Sequence, residues 1–263
     1  MRKIFLSVII CSTCCLLSLQ TFAWGLTGHR VVAEIAERHL SKKAKKNIKK
    51  LMGNEPLAFW ANWADFIKSD TAYRYAGKWH YVNIEGNLSH DQFLEALPAI
   101  KTENLYSQIQ ALQKQLKDKN TTTAEKNTAL RFLIHLVGDL GQPLHVGREE
   151  DQGGNRISLS WFGTPTNLHR VWDEHLVDFQ QWSYTEYATV LNVATQKQVA
   201  QWQALPLEEW LYESYIIANK IYASSPANAK LRYEYNYLFV QDMNDQLLKS
   251  GVRLAKILNE IFG

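Results

Sequence analysis

Hydrophobic residues recur at helical spacing along most of this chain. Between Val31 and Leu40 the apolar positions fall three and four residues apart, which predicts an amphipathic helix. Thr27 is placed to cap that helix, so His29 would lie in its first turn. Because the same spacing dominates the rest of the chain, the sequence predicts a mainly helical, all-α fold.

Two more helices follow from this pattern. Apolar spacing from Leu130 to Val137 predicts a helix that Pro143 ends, and the turn after it should bring His145 back beside the helix. The spacing is helical again after residue 182, and residues 231–261 are expected to form one long closing helix.

Strand signals are weak and local. Residues 79–84 and 156–161 alternate in polarity or are rich in β-branched and aromatic residues, so they are expected to form a small β-hairpin or ribbon. The glycine-rich stretch 151–155 lies just before the second of these segments and is predicted to be a turn.

The first 23 residues have the pattern of a secretory signal peptide. Two basic residues precede an apolar run from Ile4 to Leu19, and the 23-residue segment ends in the small residue Ala23. Cleavage is therefore expected before Trp24. The run is short and no stop-transfer pattern follows it, which argues against a membrane anchor. Residues 24–263 are then expected to form a single domain with its own core.

Composition narrows the classes of function. All three cysteines lie in the predicted leader, so the mature chain would be exported without disulfides, and it is expected to be secreted or periplasmic in a bacterium. The formal net charge is +3, and the one lysine-rich tract spans residues 42–50. This tract is expected to be a solvated helix face, and a long groove that tracks duplex DNA is not expected.

The strongest chemical signal is a set of residues that can bind metal ions. His135 and Asp139 stand four residues apart, as do His169 and Asp173. On a helix, residues four apart share a face, so each pair can direct an imidazole and a carboxylate to one point. Such donors suit zinc. The candidate ligands are Trp24, through the amine that cleavage would free and its own carbonyl, and His29, Asp65, His80, His135, Asp139, His145, His169 and Asp173.

Six motifs surround these residues in a fixed order. They are WG at 24–25, WADxxK at 63–68, WHYVN at 79–83, HLVGDxxQPLHVG at 135–147, DxGGN at 151–155 and NLHxVWD at 167–173. Together they resemble the mung bean nuclease family, the S1/P1-type zinc-dependent nucleases of plants, fungi and some bacteria. The resemblance implies a mainly helical fold, shared with zinc phospholipases C, around a cleft that holds three zinc ions.

The resemblance also implies how the ligands divide among the metals. One zinc would take Asp65, His80, His135 and Asp139; a second, His145, His169 and Asp173; a third, the Trp24 amine and carbonyl, His29 and again Asp139. A hydroxide held by the metals would attack phosphorus. Asp65 would orient that hydroxide, which makes it the candidate catalytic residue.

Five residues are implied to bind substrate: Lys68, Tyr81, Asn83, Asn155 and Arg156. Lys68 and Asn155 would bind phosphate, with Arg156 assisting, while Tyr81 would stack on an unpaired base with Asn83 near its edge. The implied activity is that of an endonuclease and 3'-nucleotidase. It would cleave single-stranded DNA and RNA to 5'-phosphate products, as a monomer without stable membrane association.

Two other functions compete with this one. Zinc phospholipases C close their last zinc site with Glu where this chain has Asp173, and they lack the WADxxK motif. An exported protein that only sequesters metal would need neither Lys68 nor Asn155. The complete set of motifs therefore favours the nuclease.

Overall fold

Helices form most of residues 24–263, the part of the chain that the computed structural model describes. The predicted signal peptide lies outside the described residues. The α-helices are α1 Leu26–Arg38, α2 Lys42–Met52, α3 Leu57–Trp60, α4 Trp63–Phe66, α5 His90–Ala99, α6 Leu105–Lys117, α7 Thr123–Gly141, α8 Leu168–Arg170, α9 Leu176–Phe179, α10 Tyr184–Leu191, α11 Gln196–Ala204, α12 Leu207–Ser224 and α13 Tyr233–Phe262. The prediction of a mainly helical fold is confirmed.

Tighter and wider helical turns lie between these elements. The 3₁₀ segments are Ile67–Ser69, Thr71–His80 and Pro143–Val146. Val171–His175 is a π-helical turn that joins α8 to α9, so the chain is continuously helical from Leu168 to Phe179.

Helices α1, α7 and α13 pack together at the centre of the hydrophobic core. The α1 side chains that the spacing placed inside, among them Val31 and Ile35, are fully buried. Helix α13 crosses α1 closely at Gly251, where an added Cβ would lie 2.5 Å from Ile35 Cγ2. The predicted closing helix thus exists, although Leu231 belongs to a short strand before it.

The first helix begins earlier than predicted. Gly25 is the N-cap of α1, and no side chain caps the helix. The predicted Thr27 cap is wrong, because Thr27 lies inside the first turn and its Oγ1 donates to Asp178 Oδ1 over 3.0 Å. The N–H of Gly25 donates to the carbonyl of Asp173. This hydrogen bond fixes the backbone at Gly25, two residues before Thr27. His29 lies in the first turn, as predicted.

Helix α7 ends as the sequence predicts. Thr122 and Glu125 form a reciprocal capping box at its start, and residues 129–141 are buried, apart from Arg131. Pro143 opens the next 3₁₀ turn, which places His145 beside the end of the helix.

The sheet differs in part from the prediction. Strand β1, Ser158–Trp161, pairs antiparallel with β2, Thr164–Asn167, and parallel with the two-residue strand β3, Lys230–Leu231. The predicted strand at 79–84 is wrong, because its first residues continue the 3₁₀ segment Thr71–His80. The residues that follow are extended. However, the N–H groups of residues 82 and 84 donate to the carbonyls of residues 145 and 147, which lie in a short turn and not in a strand, so no β-ladder forms.

Two surface predictions concern charge and the membrane. The six lysines at 42–50 are exposed on α2, as expected of a solvated face. Within residues 24–263, none of the helices has both the length and the apolar character that a membrane crossing requires.

Candidate metal centre and cleft

Histidine and aspartate side chains from four parts of the chain converge on a buried cluster. α1 contributes His29, α4 contributes Asp65, and α7 contributes His135 and Asp139. His80 ends the 3₁₀ segment Thr71–His80. All five residues are at most 4% exposed.

The first group of donors surrounds Asp139 and Asp65. His80 Nδ1 lies 3.0 Å from Asp139 Oδ2, and His135 Nε2 lies 3.4 Å from the same oxygen. Asp65 Oδ1 is 3.6 Å from His135 Nε2 and 3.8 Å from His80 Nδ1. These four residues are the set assigned to one zinc by resemblance, and the structure brings them together.

The second group consists of His145, His169 and Asp173. Asp173 Oδ1 lies 3.7 Å from His145 Nε2, and Asp173 Oδ2 lies 3.2 Å from His169 Nε2. His169 and Asp173 meet through the π turn rather than through a regular α-helix. Single π turns of this kind are frequent at functional sites.

The third predicted group contains Trp24 and His29. His29 Nε2 lies 3.3 Å from Asp139 Oδ1, so Asp139 faces both this histidine and the first group. The Trp24 side chain is buried, and the next residue is anchored to the Asp173 backbone. Gly138 allows His29 to approach, because an added Cβ there would lie 2.5 Å from His29 Nδ1.

Backbone carbonyls set the orientation of three imidazole rings. The carbonyls of Ala61, His80 and Gly153 accept from the Nδ1 atoms of His135, His145 and His169 at 2.7, 2.5 and 2.7 Å. A carbonyl only accepts, so Nδ1 carries the proton and each Nε2 of a neutral ring presents a lone pair. This arrangement is typical of histidines that bind a metal.

The ionisation states also favour a bound cation. Burial lowers the pKa of His135 to about 3, so its ring is neutral at neutral pH and gains a proton only in the acid range where the neighbouring carboxylates titrate. Burial alone would raise the pKa of Asp139, but His135 and His145 outweigh it and hold that pKa well below its usual range. The pKa of Asp65 is lowered in the same way by His135 and Lys68. Ionised carboxylates therefore lie within a few ångströms of the neutral His135 ring.

These donors fit metal ions. His29 Nε2, His145 Nε2 and Asp139 Oδ1 are buried and have no hydrogen-bond partner among the described residues. Lone pairs that converge at 3 to 4 Å repel one another unless a cation lies between them. The ligand types, nitrogen from His and oxygen from Asp, are those of zinc sites.

An open cleft of about 610 Å³ leads to this cluster. His80, His145 and His169 form part of its lining, together with all five residues predicted to bind substrate: Lys68, Tyr81, Asn83, Asn155 and Arg156. Eight of the fourteen predicted site residues therefore line one cavity.

Lys68 lies between the cluster and the cleft. Its Nζ donates to Asp65 Oδ1 over 2.6 Å, and its side chain is 28% exposed. An ammonium group has three donors, so Lys68 can hold Asp65 and still bind an anion that enters the cleft.

Tyr81 and Asn83 project from one side of an extended segment. Residue 82 between them is buried, and its N–H donates to the carbonyl of His145. The carbonyl of Tyr81 accepts from Leu105, which ties the segment to α6. Tyr81 is 38% exposed, and its ring is presented to the cleft on a fixed backbone.

Asn155 and Arg156 lie on the glycine-rich turn. Asn155 Nδ2 donates to the carbonyl of Gln152, and Arg156 Nη1 donates to that of Glu150. Gln152 and Gly153 have positive φ of 56° and 62°, which folds the turn tightly beside His169. Both side chains thus line the cleft but retain local backbone partners.

A model of the S1/P1 Nuclease family matches residues 24–263. The chain belongs to the S1/P1 nuclease family. Its members hydrolyse phosphodiester bonds in nucleic acids, so this chain is a nuclease and a hydrolase. The resemblance that the six motifs carried is confirmed, and the assignment separates the chain from the phospholipases C.

Plant and fungal nucleases show the extent of the similarity. "Endonuclease 4" of Arabidopsis thaliana is 28% identical over 266 residues, which cover 91% of this chain and 89% of the relative. "Nuclease P1" of Penicillium citrinum is 24% identical over 266 residues, covering 91% and 98%. "Nuclease S1" of Aspergillus oryzae is 28% identical over 170 residues, covering 61% and 56%.

In this S1/P1 family chain, one buried residue escaped the sequence analysis. Gln142 Nε2 donates to Asp173 Oδ1 over 2.5 Å, and its Oε1 accepts from Leu144 N over 2.6 Å. The amide thus connects the end of α7 to a candidate metal ligand. Its place between Asp139 and His145 in the HLVGDxxQPLHVG motif was the available signal.

Two carboxylates in the cleft were also missed. Glu149 and Glu150 are exposed and lie in its lining. They follow the motif directly, but exposed glutamates are common and carry no signal in the sequence. They carry the same negative charge as a phosphate and repel it. The substrate therefore approaches more favourably from the side of the cleft that carries Lys68.

Proposed function

We propose that this protein is a zinc-dependent nuclease that hydrolyses single-stranded DNA and RNA and leaves 5'-phosphate ends. The observation that carries the proposal is the buried His and Asp cluster at the end of a cleft that also contains Lys68 and Tyr81. Neither a structural metal site nor simple sequestration requires a cationic side chain and an exposed aromatic ring beside the metal ligands.

The nine candidate ligands would hold three zinc ions, divided as the family resemblance implies. When bound, zinc would offset the charge of the phosphate and lower the pKa of water toward 7. The geometry of His29, Asp65 and Asp139 supports adjoining sites, because His29 lies beside Asp139 while Asp65 and Asp139 both approach His135.

Asp65 is the proposed catalytic residue. Its pKa is lowered by His135 and Lys68 against the effect of burial, so the carboxylate is ionised and can accept a hydrogen bond from the attacking water. Lys68 holds Asp65 in place and would donate its remaining hydrogens to a phosphate oxygen. Asn155 and Arg156 would contact the phosphate from the glycine-rich turn.

The proposed preference for single strands rests on the burial of the metal ligands beneath the cleft and on the exposed ring of Tyr81. Asp139 and His135 are fully buried, so only a phosphate that can leave a helical surface reaches them. An exposed ring on a rigid backbone stacks on any unpaired base. Asn83 would contact the base edge, and 3'-nucleotides, which fill only this part of the cleft, would also be substrates.

Processing and location are further parts of the proposal. Cleavage before Trp24 would free the amine that joins His29 in the third site. The mature protein would be secreted or periplasmic and would act as a monomer.

Substrate tests on the chain that begins at Trp24 address this proposal. Single-stranded DNA, RNA, duplex DNA and phosphatidylcholine are offered in turn, and the ends of the products are analysed. Preferential release of 5'-phosphorylated products from single strands is expected. Equal cleavage of duplex DNA, or cleavage of phosphatidylcholine alone, would contradict it.

Substitution of Asp65 tests the catalytic assignment. Asp65→Asn removes the charge but keeps an oxygen, so turnover should fall by about 100-fold or more while most of the zinc stays bound. Asp91→Asn, at a fully exposed aspartate, is the control and should be unaffected. Turnover near that of the unmodified protein in Asp65→Asn would show that Asp65 has no catalytic role.

A further inference from the structure

The 3₁₀ segment Thr71–His80 connects the cleft to a second groove on the surface. A 3₁₀ helix has three residues per turn, so side chains three apart lie in rows. Exposure follows that period: Ala76 and Trp79 are buried and Tyr73 is half-buried, whereas the positions between them are exposed up to residue 78. One row therefore faces the core and two face outward.

The first outward row runs from the metal cluster to a cation. His80 belongs to the cluster, Gly77 lines the cleft, and Arg74 is exposed one turn further out. At a rise of about 2.0 Å per residue, Arg74 lies about 12 Å along the segment from His80. An added Cβ at Gly77 would meet nothing within 4 Å among the described residues, so the surface between His80 and Arg74 is open.

The second outward row presents an aromatic ring and another cation. Tyr75 is 56% exposed. Its ring packs edge to face on Trp79 at 5.1 Å and lies 6.2 Å from the Tyr73 ring. These rings line a groove of about 450 Å³ with Phe132. Tyr75 is thus held in place while much of its surface stays in water.

The charges beside this ring are available to a ligand. Arg74 and Lys78 take no part in the salt bridges that lysines and arginines form within residues 24–263. The nearby carboxylate of Glu103 accepts a hydrogen bond from Trp79 Nε1 over 2.8 Å, and Glu125 caps α7. Both acids keep their negative charge but are held by these hydrogen bonds, whereas both cations are exposed and form no salt bridge within residues 24–263.

Cations that track a backbone and an aromatic ring that accepts bases are the two parts of a surface that binds single strands. We propose that Arg74, Tyr75 and Lys78 form an auxiliary strand-binding subsite, the 74–78 subsite, for nucleotides of the substrate outside the cleft. Tyr75 stacks on a base, and Arg74 and Lys78 contact phosphates. The inference rests on the proposed function, and its occupant is the same strand that the cleft holds, because the 3₁₀ segment that carries the 74–78 subsite also carries Gly77 of the cleft lining and His80 of the cluster.

The subsite predicts a dependence on substrate length. A dinucleoside monophosphate fills the cleft alone, whereas an oligonucleotide of about ten nucleotides reaches the 74–78 subsite. Arg74→Gln combined with Lys78→Gln should raise the KM of the oligonucleotide several-fold and reduce the slope of log KM against log salt by about 0.7 for each phosphate that is no longer bound. Cleavage of the dinucleotide should change by less than about twofold.

Two further variants complete the experiment. Tyr75→Ala should raise the oligonucleotide KM by at least about fivefold without changing kcat for the dinucleotide. Lys45→Gln combined with Lys46→Gln removes the same charge from exposed positions on α2 and should leave both substrates unaffected.

The outcomes separate the subsite from the proposed function. If the unmodified protein cleaved neither the dinucleoside monophosphate nor the oligonucleotide, the proposed function would be overturned. Cleavage of both substrates by the unmodified protein, with the Arg74 and Lys78 variant unchanged or equally impaired on both, would overturn the 74–78 subsite alone. A Tyr75→Ala variant that altered only self-association in size-exclusion chromatography would assign the groove to a second copy of the chain and also overturn the subsite.

Discussion

Backbone carbonyls orient the histidines on which the metal centre depends. His135 donates to Ala61, His145 to His80 and His169 to Gly153. The candidate ligands could be predicted in part, because His135 and Asp139 lie four apart on one helix face and the family motifs implied the others. Their carbonyl partners could not, since Ala61 and Gly153 are brought near by tertiary packing and have no side chain that signals a contact.

Gln142 holds Asp173 in the same way through its side-chain amide. Gln142→Ala removes the donor to Asp173 and leaves the buried Leu144 N–H without its acceptor, so affinity for zinc should fall about 10- to 100-fold. Competition with a chromogenic chelator measures this. Gln201→Ala, at an exposed position on α11, is the matched control. Unchanged zinc affinity in Gln142→Ala would mean that the amide does not position the ligand.

Helical elements could be predicted where one face is continuously apolar. The closing helix α13 has the predicted type and nearly the predicted bounds, and α7 has the predicted type and end, although it begins at Thr123, seven residues before the apolar spacing that predicted it. The structure of residues 79–84 could not be predicted, because aromatic and β-branched residues also suit a buried 3₁₀ segment and the extended residues after it. The π turn Val171–His175 leaves no trace in periodicity, since a single wider turn shifts the pattern by only one residue.

The close contact between helices α1 and α13 can be tested by substitution. Gly251→Ala would place a methyl group 2.5 Å from Ile35 Cγ2 and 3.1 Å from the Val32 carbonyl oxygen. Separating these two helices should lower the free energy of unfolding by about 1 to 3 kcal/mol, as measured by urea denaturation with zinc present. Gly77→Ala adds a methyl group where space is open and should not destabilise the protein; equal stability of the two variants would contradict the close packing.

Across the whole molecule, the metal centre joins parts that are distant in the chain. The candidate ligands extend from Trp24 to Asp173, and α13 packs against two of the helices that carry them. The sequence outside residues 1–23 contains no cysteine, so metal is the one cross-link that the residue types of the described chain offer. The signal peptide and the single-domain organisation stay predictions.

Removal of the bound metal, proposed to be zinc, should therefore weaken the entire fold. Without a cation, Asp139 and the neighbouring carboxylates face buried lone pairs, and unfolding relieves that repulsion. A ligand present at about 1,000 times its Kd contributes about 4 kcal/mol, so chelation should lower Tm by several degrees in differential scanning calorimetry. The same chelator saturated with zinc is the control. An unchanged Tm after verified loss of metal would show that the centre does not stabilise the fold.

The buried cluster is proposed to be a zinc centre that performs hydrolysis, and one titration tests this most directly. Zinc is added to chelated protein that begins at Trp24, and bound metal and cleavage of single-stranded DNA are followed in the same samples. Cleavage should be absent without metal and should reach its maximum as about three zinc ions bind per chain. Full cleavage in protein that holds no metal would contradict the proposal.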